Sequence, residues 1–242
     1  MAATADCKAT TTWSAAHSAA LAHGAERCSI DRFTEADLSL PRFQEEYEHK
    51  RPVIFIRGAE AASAPARLAT EKQTLLDEHG ARWLRLSAMQ SYAFRNRTEV
   101  TLRDFLKLIQ TPVSWDDTAS ELQYLFAHDP FEVGKVYVPP RHSQPQLEHA
   151  HSRPHYQVAL GGPGSGLAFH WHGSVFAETL HGRRRWFAYP PHASPEGGFN
   201  PRRPTVHWLR NVYPHLAEQS TASQLAECVL TAGEVLYLPA YW

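Results

Sequence analysis

No apolar run in the 242-residue chain is long enough to cross a bilayer, so the sequence offers no transmembrane segment. Cysteine is scarce. Cys7, Cys28 and Cys228 show no Cys-x-x-Cys spacing, which excludes a zinc finger or a thioredoxin motif. They read either as free thiols of a reducing compartment or as a Cys28–Cys228 pair with Cys7 left over. An excess of charge is also missing, since 24 Lys and Arg face 25 Asp and Glu. Bulk electrostatics therefore gives no footprint of nucleic-acid or acidic-membrane binding. The N-terminus lacks the basic start and unbroken apolar stretch of a signal peptide, because His17 and Ser18 interrupt its only candidate. Residues 1–25 are expected to form a loosely ordered extension.

What is present is an ordinary folding composition, 43% hydrophobic and 20% charged, which excludes a wholly disordered chain. No linker or internal repeat divides the sequence, so residues 26–242 are expected to form one domain. Its first part, 30–120, mixes helices and strands. Ser39 and Pro41 open a short helix, "VIFIRG" reads as a strand, and Ser63 and Pro65 start a helix that Gly80 stops. "RWLRLSA" alternates as a strand, and Thr101 caps "LRDFLKLIQ", whose Leu102, Phe105, Leu106 and Ile109 form one apolar stripe. From 121 onward strands dominate. "LQYLFA", "HYQVAL", "LAFHWH", "VFAETLHG", "RRWFAYPP" and "EVLYLPAYW" are short and aromatic-rich, with "PTVHWLRNVYP" a short helix among them. The fold class is α+β, mainly β, with helices decorating a sandwich or barrel.

Fifteen histidines make individual ones hard to rank. In "FHWHG" a strand would turn His170 and His172 to one face and Trp171 to the other, so the two imidazoles could take adjacent positions on a metal ion. Alone, His-x-His also fits a half-exposed strand face. "HAHSRPH" carries His149, His151 and His155, but its Pro/Gln/Arg-rich surroundings provide no strand to fix ligand geometry, so it reads as a solvated loop.

The surroundings of His170 carry more. "GGPGSGLAFHWHGSVFAETLHGRRRWFAYPP", followed some fifty residues later by "AGEVLYLPAYW", resembles the jumonji C (JmjC) domain of the iron(II)/2-oxoglutarate oxygenases. The resemblance covers about residue 26 to the end and is strongest over 155–242. It implies a double-stranded β-helix (a jelly roll, cupin-like barrel) whose interior holds iron(II) and 2-oxoglutarate as co-substrate. Carried over residue by residue, His170 is the first iron ligand and His172 stands where the family has a carboxylate, a departure that adds one unit of positive charge. Arg184 takes the place of the lysine that pairs with the distal carboxylate of 2-oxoglutarate, and a guanidinium can do so in bidentate fashion. Tyr124 resembles the tyrosine that helps hold that carboxylate, while Leu167 stands near a position where the family has threonine.

In the same pattern the third ligand is a histidine that would follow Trp242, so the sequence reads as truncated, with the last strands missing and a two-histidine partial site. His181, His192, His207 and His215 lie in turns or the short helix and do not match it. Two functional readings stay open. One is an oxygenase of the protein hydroxylase or demethylase type. The other is a non-catalytic JmjC-like scaffold acting in protein interaction or signalling regulation. Either implies a protein substrate or partner, and the family member most resembled implies the lumen of the endoplasmic reticulum.

Overall fold

The computed structural model describes residue 13 and residues 27–57, 63–88, 97–110, 123–143, 155–198, 205–218 and 224–242. Apart from Trp13, the expected N-terminal extension lies outside them, as do Cys7, His149 and His151. Three sheets form. The first contains β1 (Arg32–Thr34), β2 (Val53–Ile56), β10 (Glu234–Leu238) and β7 (Val175–Thr179), in that order. The second has the order β4 (Arg97–Thr101), β3 (Trp83–Ala88), β5 (Gln123–His128), β6 (Gln157–Gly161). The third pairs β8 (Arg183–Ala188) with β9 (Ala226–Thr231). Among the described residues these sheets do not close into a barrel.

Local chemistry explains the helices. In α1 (Leu40–Glu46), Ser39 Oγ accepts from the Arg42 N–H at 3.4 Å, and a proline sits in the first turn. The helix expected between Ser63 and Gly80 is two, α2 (Ala64–Ala69) and α3 (Lys72–His79). Thr70 Oγ1 donates to the Ala66 carbonyl at 2.7 Å, and Glu71 turns to φ −57°, ψ 142°, which no helix continues through. Thr101 caps α4 (Leu102–Leu108), accepting from the Asp104 N–H at 3.2 Å. The expected short helix near 205–214 is followed by a second. α5 (Thr205–Asn211) leads into α6 (Tyr213–Glu218), which carries Pro214 in its first turn, where no N–H is needed. β1, β4 and β9 were not expected from the sequence. "LAFHWH", expected as a strand, joins no ladder.

The four last strands form one folded ribbon. β7 pairs antiparallel with β10 from Val175↔Leu238 to Thr179↔Glu234. β8 pairs antiparallel with β9 from Arg183↔Thr231 to Ala188↔Ala226. Between the two ladders the chain turns a corner at Leu180–Gly182 and Ala232–Gly233, where the Gly233 N–H donates to the Thr179 carbonyl at 2.9 Å. Gly182 has φ 72°, a left-handed conformation that a side chain would strain.

Alternation along these strands sorts the core into layers. Ile54, Leu236 and Leu238 meet Cys228, Leu230 and Ala188 in an interior cluster between the first and third sheets, with Val175 and Trp186 packed against it. Val53, Phe55, Val235 and Tyr237 face the other way, onto Leu38, Phe43 and Tyr47 of the N-terminal region. Each fully buried Leu, Ile or Phe contributes roughly 1.5–3 kcal/mol. A third cluster joins α4 to the second sheet through Leu102, Phe105, Leu106, Leu84, Leu86 and Leu125. The first and third sheets are also covalently tied. Cys28 and Cys228, 200 residues apart, form a disulfide with Cα atoms 4.2 Å apart. On a chain-entropy account, closing so long a loop constrains the unfolded state by roughly 5 kcal/mol.

Candidate functional site

Tyr124 enters the site from β5. Its Cα partner in register is Gly161, where an added Cβ would lie 2.8 Å from the Tyr124 ring, so the glycine makes room for it. The ring is buried. Arg184 enters from β8, opposite Leu230, and donates from Nη2 to the Tyr124 hydroxyl at 3.2 Å. Its guanidinium lies over the Trp186 ring, 4.4 Å from the centroid. Arg184 has no carboxylate partner among the described residues. The structure thus brings together two side chains that are 60 residues apart in sequence.

His170 and His172 lie in an irregular stretch between β6 and β7. Phe169 anchors it, packing edge-on against Trp208 and Tyr189 at 5.1 and 5.9 Å between centroids. The Tyr241 N–H donates to the His172 carbonyl at 2.9 Å, so the segment after β10 runs alongside. The two imidazole centroids are 5.3 Å apart. His170 Nδ1 sits 2.7 Å from the Ala168 carbonyl and His172 Nδ1 2.6 Å from the Gly173 carbonyl. An imidazole nitrogen that close to a carbonyl oxygen carries the proton, so the neutral form of either ring has its lone pair on Nε2. Burial is the main cause that pushes the His170 pKa below its ordinary value. The Ala168 hydrogen bond opposes it, and the charges of His172 and Arg184 add to the lowering. A neutral imidazole with a backbone-fixed Nδ1–H is the form that binds metals.

Among the described residues no three His, Cys, Asp or Glu side chains gather closely enough to hold a metal ion. His155 is exposed and stands 6.3 Å from the ring of His128. His181 bonds into the α2 end, with Nε2 3.0 Å from Thr70 Oγ1.

Two features went unnoticed in the sequence. Arg185, on the opposite face of β8, is held by Glu227 at 2.9 Å and by the Tyr213 hydroxyl at 2.7 Å, both buried. Trp186, packed against the interior cluster, also forms the platform under Arg184. Strict alternation from Arg183 would have separated the three arginines by face, but the carboxylate that selects Arg185 comes from β9.

No family model matches the chain. JmjC domain-containing protein 8 of Homo sapiens is 33% identical to it over 219 residues, covering 90% of this chain and 78% of that protein. The chain belongs to the JmjC domain family. JmjC domain-containing protein 8 of Mus musculus is 31% identical over 218 residues, 90% of this chain and 77% of that protein. Lysine-specific demethylase JMJ21 of Arabidopsis thaliana is 27% identical over 224 residues, 85% of this chain and 23% of that larger JmjC protein.

Proposed function

We propose that this JmjC chain binds 2-oxoglutarate through Arg184 and Tyr124 beside an iron(II) position at His170 and His172, as an oxygenase acting on a protein substrate. One observation carries the reading. Arg184 is a half-buried cation on the interior face of β8 whose polar partner, among the described residues, is a phenol hydroxyl rather than a carboxylate. Leaving a guanidinium without a counter-charge is costly unless an anion completes it. A dicarboxylate fits, since guanidinium and phenol together can hold one carboxylate end. Fixed Nδ1 protons on both histidines fit two positions of a divalent metal, which would supply oxygen activation when bound. Within this scheme Arg184 and Tyr124 bind and orient the co-substrate, Trp186 excludes water from the guanidinium face, and the Ala168 and Gly173 carbonyls orient the imidazoles.

The nested pairing of β8 with β9 inside β7 with β10 supports a jelly-roll arrangement for residues 26–242 as one domain. The Cys28–Cys228 disulfide supports an oxidising compartment, of which the endoplasmic reticulum lumen is the one that resemblance implies. A second reading, a JmjC-like scaffold without catalysis, is favoured by the imidazole of His172 at the family's carboxylate position. Titrating the full chain with 2-oxoglutarate, then assaying succinate with iron(II), separates the two. Binding with succinate supports the oxygenase, and binding without succinate supports the scaffold. No binding, or binding unchanged in Arg184→Ala, overturns the assignment of the anion site.

A further inference from the structure

We infer that the Cys28–Cys228 disulfide sets the position of Arg184, acting through Trp186, so that a dithiol reductant loosens the anion site from behind. The inference rests on the reading of Arg184 given above, and it adds regulation to it. A continuous line of contacts carries it. Cys228 and Trp186 face each other in register across the β8–β9 ladder, in one interior cluster. The Trp186 ring supports the Arg184 guanidinium, which in turn reaches Tyr124 on the second sheet.

Trp186 has no polar anchor of its own. Its buried Nε1 lacks a hydrogen-bond partner among the described residues. Apart from its contact with the Arg184 guanidinium, the indole is held by apolar packing among the described residues, and Cys228 is the side chain directly opposite. The disulfide fixes that neighbour. It ties β9 to the segment that leads into β1, where the Ser29 N–H donates to the Glu227 carbonyl at 2.9 Å and Glu227 N–H to Ser29 Oγ at 3.0 Å. Arg32 Nη2 adds a bond to the Val229 carbonyl at 2.6 Å. Once the sulfurs part, these hydrogen bonds and the packing of Ile30 in the cluster with Leu230 are what holds the segment against β9 among the described residues.

The two sulfurs are not equally accessible. Cys28 is exposed and Cys228 is buried. A thiolate of the dithiol attacks Cys28 Sγ, the S–S bond breaks, and Cys228 Sγ leaves and takes up a proton. The reductant's second thiolate then displaces Cys28, which is also protonated. The products are two protein thiols and one disulfide of the reductant.

Hydrogen exchange followed by mass spectrometry on the full chain, with and without dithiothreitol, reads the coupling directly. Exchange over 183–188 and 226–231 should rise about tenfold or more on reduction, while β3 and β4 change less than about twofold. Cys28→Ser should reproduce the reduced pattern. Trp186→Ala should reproduce it over 183–188 with the disulfide intact, and Trp186→Phe should largely restore protection. Equal loosening of all three sheets, or none over 183–188, overturns the inference. Reduction should also weaken 2-oxoglutarate binding by about tenfold. If the oxidised chain does not bind 2-oxoglutarate at all, the assignment of the anion site fails, and the exchange data still decide the coupling.

Discussion

The two faces of β8 treat adjacent arginines in opposite ways. On one face Arg185 is neutralised within the fold. Glu227 and the Tyr213 hydroxyl surround its guanidinium, and Phe187 lies 4.7 Å from it. On the other face Arg184 meets an aromatic ring and a phenol, with no carboxylate among the described residues. A buried cation that the fold has paired is architecture. One left incompletely paired at an interior position is a candidate binding group. The contrast separates an arginine that the fold pairs from one that the proposed reading assigns to an anion.

The contrast can be broken most forcefully on the structural side. Glu227→Ala takes the carboxylate away from the Arg185 guanidinium and the Tyr213 hydroxyl, and should cost about 3–5 kcal/mol in urea denaturation. A loss as small as that of an exposed pair would show that Arg185 finds another partner. On the functional side, Arg184→Ala should weaken 2-oxoglutarate binding by about tenfold or more, since a charge-assisted hydrogen bond contributes roughly 1.5–3 kcal/mol. Its effect on stability should be much smaller than that of Glu227→Ala, and isothermal titration beside denaturation checks both.

A gentler effect appears in alkali. Burial, then the hydrogen bond to Glu227, pushes the Tyr213 phenol up to about 12. A raised folded-state pKa means that the unfolded chain loses its proton first, near the ordinary value of 10.0. Stability from this group is complete below that value and is lost as pH rises from there through about 12. Tyr213→Phe should remove its share of the loss, with Tyr47, also raised to about 12, supplying a remainder. Smallest is Tyr124→Phe, which should weaken 2-oxoglutarate binding about threefold to tenfold, because Arg184 still holds the carboxylate once the phenol is gone. A loss equal to that of Arg184→Ala would mean that Tyr124 chiefly positions the arginine.

Legibility in the sequence followed the range of the interactions. Ser39 and Thr101 announced their helices because a cap acts within three residues. β8 and β10 were visible through aromatic and β-branched runs between turns. The break at Thr70 was missed because a threonine hydroxyl competing for a carbonyl looks, in sequence, like any helical threonine. β9 was missed because its partner lies across the 189–225 connection. The His170–His172 stretch was expected as a strand from its aromatic richness, yet Phe169 docks on Trp208 and the backbone joins no ladder.

By itself the sequence determined the local helix signals and the motifs by which its resemblance to the JmjC family points to Tyr124, His170, His172 and Arg184. These depend on side-chain type and spacing along one segment, which a chain carries whether or not it is folded. Only the tertiary structure decided that Tyr124 and Arg184 touch, that Glu227 neutralises Arg185, and that Cys28 bonds to Cys228 behind Trp186. Each of those depends on which strands lie side by side and in what register, and that is settled by burial of the whole apolar surface rather than by any one segment.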